Sequence, residues 1–154
     1  MDLLDEMNFQ MGNFCLNDPG FVIGSSAPEK VKITNTTKFL SDGVFKSKST
    51  AEVAFTATTH DIPADADSVQ EAVYLATIAA DGTVTLTMGA IASGSGNALL
   101  PERPATGTPL GYVRIAVAAG STDFDASSDA LSDGHLTDTF VSLGFLGARF
   151  DAAQ

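Results

Sequence analysis

"EAVYLATIAADGTVTLTMGA", residues 71–90, decides the fold class of this sequence. An apolar run ending at Ile78 leads into Asp81-Gly82, the strongest short signal for a β-hairpin, because glycine accepts the positive φ of a primed turn. After the turn, three apolar residues alternate with three threonines. The stretch therefore predicts a hairpin with one apolar face and one threonine face.

Further short strands are predicted on both sides of this hairpin. They are rich in β-branched and aromatic residues, and their polarity roughly alternates, as in "KVKIT", where the lysines would face one side and Val31 and Ile33 the other. "SDGV" (41–44) supplies a second hairpin signal. The predicted strands lie within "FVIG" (21–24), "KVKITN" (30–35), "TKFLSDGVFKSK" (37–48), "AEVAFTAT" (51–58), "TPLGYVRIAV" (108–117), "DTFVSLGF" (138–145) and "GARF" (147–150).

Many short strands separated by turn residues indicate an all-β fold, either an antiparallel β-sandwich or a jelly-roll/barrel-like domain. The turn-rich crossing at 118–137 is expected to be anchored by Phe124, Leu131 and Leu136. The Gly/Ser/Pro-rich loop at 91–109 is long for a compact domain, and such loops usually have a function, contact another subunit or move.

The first twenty residues have a different pattern, which predicts a short amphipathic helix or an extended arm, followed by a single β-rich domain at 21–154. An apolar stripe at helical spacing must rest either on its own domain or on a neighbouring subunit, and the sequence leaves both open. Its members are the candidate interface residues of the chain: Leu3, Leu4, Met7, Met11 and Phe14.

The charge is unevenly distributed along the chain. Residues 1–48 contain five Lys against six acidic residues, whereas residues 49–154 contain three Arg against thirteen, within a total net charge of −11. Such an acidic surface repels phosphate, so we expect no nucleic-acid partner. No apolar run approaches the roughly 20 residues of a membrane helix, and the start does not resemble a secretory signal, so we expect cytoplasmic synthesis and no membrane partner.

Residues capable of catalysis are few. Cys15 is the single cysteine, which excludes an intrachain disulfide, and it is expected to be half-buried. His60 and His135 lie in polar turn stretches and are expected to be solvated. The sequence lacks a Gly-x-Ser-x-Gly elbow, so a small hydrolase is the least favoured function, and we predict neither a catalytic residue nor a cofactor.

The acidic stretch "DFDASSDALSDG" (123–134) raises the question of a metal site. An EF-hand loop beginning at Asp123 would need an oxygen ligand, Gly and Glu at its positions 5, 6 and 12, which here are Ser127, Ser128 and Gly134. A looser calcium site, completed by the carboxylates of 61–67, remains open. Acidic loops without a metal are the favoured interpretation.

Several segments together resemble small virion structural proteins of tailed bacteriophages, of the head decoration (cement) or head-fibre type. The resemblance covers roughly residues 30–143. It lies in four segments taken in order, each unspecific alone: "TNTTKFLSDGVFKSKSTAEVAFTA" (34–57), "YLATIAADGTVTLTMGA" (74–90), "PLGYVRIAV" (109–117), and "STDFDASSDAL" (121–131) followed by "TDTFVSLG" (137–144).

The resemblance implies a non-enzymatic, multi-copy protein on the capsid exterior of the virion, made in the host cytoplasm. Its expected partners are the major capsid protein and further copies of itself, with a trimer favoured over a dimer. It would stabilise the shell by bridging capsid subunits through the apolar stripe and the 91–109 loop. The alternative is a receptor- or glycan-binding module of a fibre or tail.

Overall fold

Every regular element in the described part of the chain is a β-strand, which confirms the all-β prediction. The computed structural model describes residues 13–24, 30–41, 43–102 and 106–144. In chain order its strands are β1 (Phe14–Cys15), β2 (Phe21–Ile23), β3 (Lys30–Ile33), β4 (Thr37–Ser41), β5 (Val44–Lys48), β6 (Ala51–Ala54), β7 (Gln70–Ile78), β8 (Val84–Met88), β9 (Ala92–Ser93), β10 (Thr108–Val117) and β11 (Leu136–Ser142).

The described strands form three antiparallel sheets around one apolar core, an arrangement consistent with a β-sandwich. The central sheet has the order β11-β10-β7-β8, and β9 pairs with the start of β7. The two smaller sheets have the orders β1-β4-β5 and β2-β3-β6. The core includes Tyr74 and Ile115 from the central sheet, Phe39 from the first small sheet and Ile33 from the second.

The hairpin predicted from residues 71–90 forms as β7 and β8. Gly82 has the positive φ, 87°, that the turn requires. The apolar side chains of β8 pack against the core, whereas the Thr77 and Thr85 hydroxyls lie 3.1 Å apart on the opposite face. The alternation along β8 therefore separates two environments, as predicted.

The hairpin predicted from "SDGV" and the alternation predicted in "KVKIT" are also confirmed. β4 and β5 pair as an antiparallel hairpin, with Gly43 at a φ of 75° in the connection. In β3, Val31 and Ile33 are buried, whereas Lys30 and Lys32 are half-exposed. Alternation was sufficient here because one face of the strand meets the core and the other meets water.

The stretch 108–117 forms β10, which pairs with β7 on one side and β11 on the other. Its pairing with β7 shifts register between Pro109 and Gly111, as a β-bulge does. Gly111 lies against neighbouring atoms so closely that an added Cβ would be 2.5 Å from the Val141 carbonyl oxygen and 3.1 Å from Phe21 Cδ1. Glycine at this position lets β11 and β2 approach β10.

The acidic crossing between β10 and β11 is anchored as expected. Phe124, Leu131 and Leu136 are all buried. Phe124 also forms an isolated antiparallel bridge with Ile62, which joins this crossing to the connection between β6 and β7. These two acidic loops therefore lie together at one end of the central sheet.

The start of the chain is described only from residue 13, so the helix-or-arm prediction and the residues Leu3, Leu4, Met7 and Met11 lie outside the described residues. Phe14, the fifth candidate, belongs to β1 and pairs with Leu40 of β4. β1 thus joins the first small sheet, and the neighbouring Cys15 is buried. The division at residue 20 stays a prediction for residues 1–12.

Replacing Gly111 by Ala should lower the free energy of unfolding by about 1–3 kcal/mol, because the new methyl group would clash with the Val141 carbonyl. Gly134→Ala is the matched control, since nothing lies within 4 Å of its added Cβ. Urea unfolding followed by circular dichroism measures both. Equal stability of the two variants would contradict the close approach of β11.

Candidate interaction surface

β7 is buried on both of its faces, which is unusual for a strand in an antiparallel sheet. Tyr74 and alternate residues of the strand face the core, since strand side chains alternate between the two faces. Glu71, Val73 and Leu75 lie on the opposite face and are nevertheless buried. A second layer must therefore cover the outer face of β7.

That layer is formed by residues 91–102, which we call the Leu99 loop. The loop folds back over the outer face, so that a Cβ added to Gly89 would lie 2.7 Å from the Leu99 carbonyl oxygen. The Gly89 amide itself donates to the Val73 carbonyl at 2.8 Å. Ala98, within the loop, is buried. The long loop expected from the sequence is thus packed on the domain along part of its length.

The carboxylate of Glu71 holds this loop in place. Its Oε2 accepts a hydrogen bond from the Gly96 amide at 3.0 Å, and its Oε1 accepts one from the Ala98 amide at 3.1 Å. Arg114 Nη1 lies 3.4 Å from Oε1 and completes an ion pair. Glu71 is only 1% exposed, and a buried charge of this kind is tolerated only when it is paired and hydrogen-bonded.

Two further polar contacts fix the same segment. Arg114 Nη2 donates to the Ala98 carbonyl at 3.5 Å, and Asn97 Nδ2 donates to the Ser93 carbonyl at 2.8 Å. The backbone of residues 93–98 is therefore tied to β7, to β10 and to itself. The backbone that precedes Leu99 is thus already fixed in the free protein, so a contact at the following leucines costs less backbone entropy on binding.

The Leu99 loop presents a pair of exposed leucines. Leu99 is 79% exposed, Leu100 is 54% exposed, and Ile91 at the start of the loop is also exposed. Large apolar side chains grouped on the surface mark contact sites for other molecules, and burying them at a contact is favourable. The Leu99 loop is therefore the candidate interaction surface.

The sequence predicted this surface only in part. The 91–109 loop was a candidate contact because of its length, whereas the role of Glu71 was missed. The available signal was a lone acidic residue at the start of an otherwise apolar strand, "EAVYLATI". Recognising it would have required knowledge that both faces of β7 are covered.

A shallow groove lies beside the Leu99 loop on the outer face of β10 and β11. Its volume is about 340 Å³. Arg114, Ser95, Thr137 and Thr139 supply polar groups to its described lining, which contains no aromatic side chain. The remaining lining residues are Val69, Glu71, Ala116 and Ala118.

The prediction that His60 is solvated is wrong. The side chain is 5% exposed and its ring packs edge-to-face against Phe55 and Tyr74. Its Nδ1 accepts a hydrogen bond from the Thr56 amide at 2.8 Å, while the Tyr74 hydroxyl donates to its carbonyl at 2.6 Å. His60 is a core residue, and the polar neighbours in "TTHD" concealed this because burial is decided by distant strands.

Two other side chains considered for catalysis, His135 and Cys15, also make contacts within the fold. His135 is half-buried, with Nε2 4.0 Å from Asp129 Oδ2 and 3.3 Å from the Asp123 carbonyl oxygen. The Cys15 thiol is buried, donates to the Asn17 carbonyl at 2.9 Å, and has its pKa raised by that burial. A thiol with a raised pKa stays protonated at neutral pH and is a poor nucleophile.

The carboxylates of the two acidic loops bind backbone amides of those loops. Asp61 Oδ1 accepts from the Ala126 amide at 2.9 Å, and Asp129 Oδ2 accepts from the Asp125 amide at 2.8 Å. Hydrogen bonds from neighbouring amides and hydroxyls lower the pKa of Asp65 and Asp125. Within the described ranges, no group of three or more His, Cys, Asp or Glu side chains is placed to hold a metal ion, so the looser calcium site has no described ligand set.

Glu71→Gln should loosen the Leu99 loop, because the amide NH2 cannot accept the hydrogen bond that the lost carboxylate oxygen accepted. Leaving one buried donor unsatisfied should lower the free energy of unfolding by about 1–3 kcal/mol. Hydrogen exchange at the Gly96 and Ala98 amides should also accelerate. Glu102→Gln, at an exposed position of the same loop, is the matched control; unchanged exchange in the Glu71 variant would refute the role assigned to its carboxylate.

The burial of His60 predicts a pH dependence of stability. Burial holds the pKa of His60 below its ordinary value of 6.5, with Leu86 and Asp61 acting weakly in the opposite direction. The unfolded chain therefore binds the proton more readily, and the free energy of unfolding should fall as the pH is lowered from about 8 to about 5. His60→Asn keeps an acceptor near Nδ1 but does not titrate, so it should make the free energy of unfolding depend less on pH. His135→Asn is the control and should keep more of the pH dependence than His60→Asn.

The chain has no match among protein-family models, curated proteins or solved structures. In the described ranges, no helix has the length and apolarity that a membrane crossing requires.

Proposed function

We propose that this protein is a structural virion protein that decorates and stabilises the exterior of a tailed-phage capsid by bridging capsid subunits. The observation that carries the proposal is the pair of exposed leucines, Leu99 and Leu100, on a loop tied down by the buried Glu71 carboxylate. The assignment to a phage capsid comes from the sequence resemblance. The protein would act by binding alone, without enzymatic activity or a cofactor.

Such a subunit needs only a modest contact surface. Copies bound to neighbouring positions of one particle reinforce each other, because each contact raises the effective concentration of the next. The Leu99 loop suits this task, because hydrogen bonds order its backbone before binding and it presents two leucines to a partner. The proposed partners are the major capsid protein and further copies of this chain, with a trimer favoured over a dimer, and neither nucleic acid nor a membrane.

The stripe of candidate interface residues at the start of the chain stays a second predicted contact. Leu3, Leu4, Met7 and Met11 lie outside the described residues, and Phe14 is in β1 on the first small sheet. Among the described residues, the Leu99 loop is therefore the contact surface that supports the proposal.

The groove beside the Leu99 loop favours the alternative function, a receptor- or glycan-binding module of a fibre or tail. The Arg114 guanidinium and the hydroxyls of Ser95, Thr137 and Thr139 are groups that can hydrogen-bond to a sugar. The described lining lacks an aromatic ring on which a sugar could stack. For that reason the alternative ranks second.

The double variant Leu99→Ser/Leu100→Ser should bind undecorated capsid particles at least about tenfold more weakly than the wild type, about 1.4 kcal/mol, because two apolar side chains no longer become buried at the contact. Cosedimentation of the protein with particles over a concentration series measures the affinity. The fold should be unaffected, since both side chains are largely exposed.

Val22→Ser is the matched control, because it removes an exposed apolar side chain from β2, far from the loop in the sequence. If the wild type, the double leucine variant and Val22→Ser all bind equally, the Leu99 loop is not part of the contact. A wild-type protein that leaves the particles undecorated at saturating concentration, but binds to a glycan array, would replace the proposal with its alternative.

A further inference from the structure

The end of the central sheet at Gln70 is strongly acidic. The connections 55–69 and 118–135 meet there, since the Gly120 amide donates to the Asp65 carbonyl at 2.9 Å and Ile62 pairs with Phe124. Together they contain seven aspartates and neither lysine nor arginine. We call these two connections the acidic end.

The opposite end of the central sheet, at Ile78, carries the lysine-rich β4–β5 hairpin. Thr108, the partner of Ile78 in the sheet, donates its hydroxyl hydrogen to the Leu40 carbonyl at 2.7 Å. Lys46 Nζ donates to the Ala80 carbonyl at 2.6 Å. The eight steps along β7 separate this hairpin from the acidic end by about 26 Å at roughly 3.3 Å per residue.

The outer face of the hairpin combines apolar side chains with one lysine, because Lys46 and Lys48 lie on the other face, opposite Phe39 and Thr37. Leu40 and Phe45 are directly paired across the strands and so share one face, and Phe45 is 62% exposed. Lys38 is two residues from Leu40, therefore on that same face, and is exposed. Val44 is exposed at the tip. We call β4 and β5 with these side chains the basic hairpin.

We propose that the basic hairpin of one copy docks on the acidic end of a second copy. A surface with Phe45 beside Lys38 fits a partner that offers carboxylates near small apolar groups. The acidic end provides both, because exposed Pro63, Ala64, Ala66 and Ala119 lie among its aspartates. One copy cannot make this contact with itself, since its two surfaces are at opposite ends of β7.

Charge also disfavours the other ways of pairing two copies. With a net charge of −11, two molecules repel each other in most orientations, and two acidic ends repel most strongly. The basic hairpin offers such an acidic surface both an exposed lysine and an exposed aromatic side chain. A contact between two different surfaces repeats from copy to copy, so it either closes into a ring or continues as a chain.

The inference concerns the free protein and does not rest on capsid binding, so the two proposals fail separately. Sedimentation velocity of the full chain over a concentration series measures self-association. Lys38→Glu is the basic-end variant, and Asp67→Lys/Asp123→Lys is the acidic-end variant. These two aspartates were chosen because, in the described structure, their carboxylates accept no hydrogen bond from the backbone, so their replacement spares the loops.

Wild-type protein should self-associate, and each variant alone should do so about tenfold more weakly, because an attraction becomes a repulsion. An equimolar mixture of the two variants should recover most of the lost association, since the new glutamate then meets the new lysines. Phe45→Ser should also weaken association, and mixing it with the acidic-end variant should not recover the lost association. Lys30→Glu, with the same charge change on β3, is the control and should associate like the wild type.

Three results would overturn the inference. The first is a wild-type protein that stays monomeric at every concentration reached. The second is unchanged association of Phe45→Ser, whose exposed side chain can be replaced without disturbing the core. The third is failure of the mixed variants to recover association when circular dichroism shows both to be folded.

Discussion

The buried carboxylate of Glu71 is the interaction on which the arrangement of the candidate surface depends. A charge that is 1% exposed needs partners in fixed positions, and this one takes two amides from a single loop and the guanidinium of Arg114. Glu71 belongs to β7, which lies inside the largest sheet, so the loop is bound to a part of the core that is itself held on both sides. Leu99 and Leu100 are thereby held outward by the same contacts that complete the burial of β7.

Most other polar side chains with a possible chemical role stabilise the fold instead. His60 accepts a backbone hydrogen bond within an aromatic group formed with Phe55 and Tyr74. The acidic loops use several of their carboxylates to bind their own amides, an arrangement that orders turn-rich backbone. Several charged and aromatic groups of the described residues thus hold loops in place, while the apolar Leu99 and Leu100 are exposed on the surface. This division suits a protein that acts by binding.

The two proposed surfaces have different physical characters. The Leu99 loop is apolar and pinned, so its contribution would come from burial of leucine side chains and would depend weakly on salt. The basic hairpin combines Phe45 with Lys38 on one face, so its contacts would be steered by charge and would respond to ionic strength. A subunit with both surfaces could join its own copies through one and a larger particle through the other.

Local pattern alone was sufficient for the class of fold, both Asp-Gly hairpins, the β10 strand and the anchors of the 118–137 crossing. These follow from turn chemistry and alternation between neighbouring residues, which are encoded within a few positions. The sequence also singled out the long loop that carries Leu99. Only the tertiary structure decided that Glu71 would be buried beneath that loop, that His60 would lie in the core, and that the β4–β5 hairpin and the two aspartate-rich connections would lie at opposite ends of β7. Each of these depends on which distant strands pack together, and no local pattern records that.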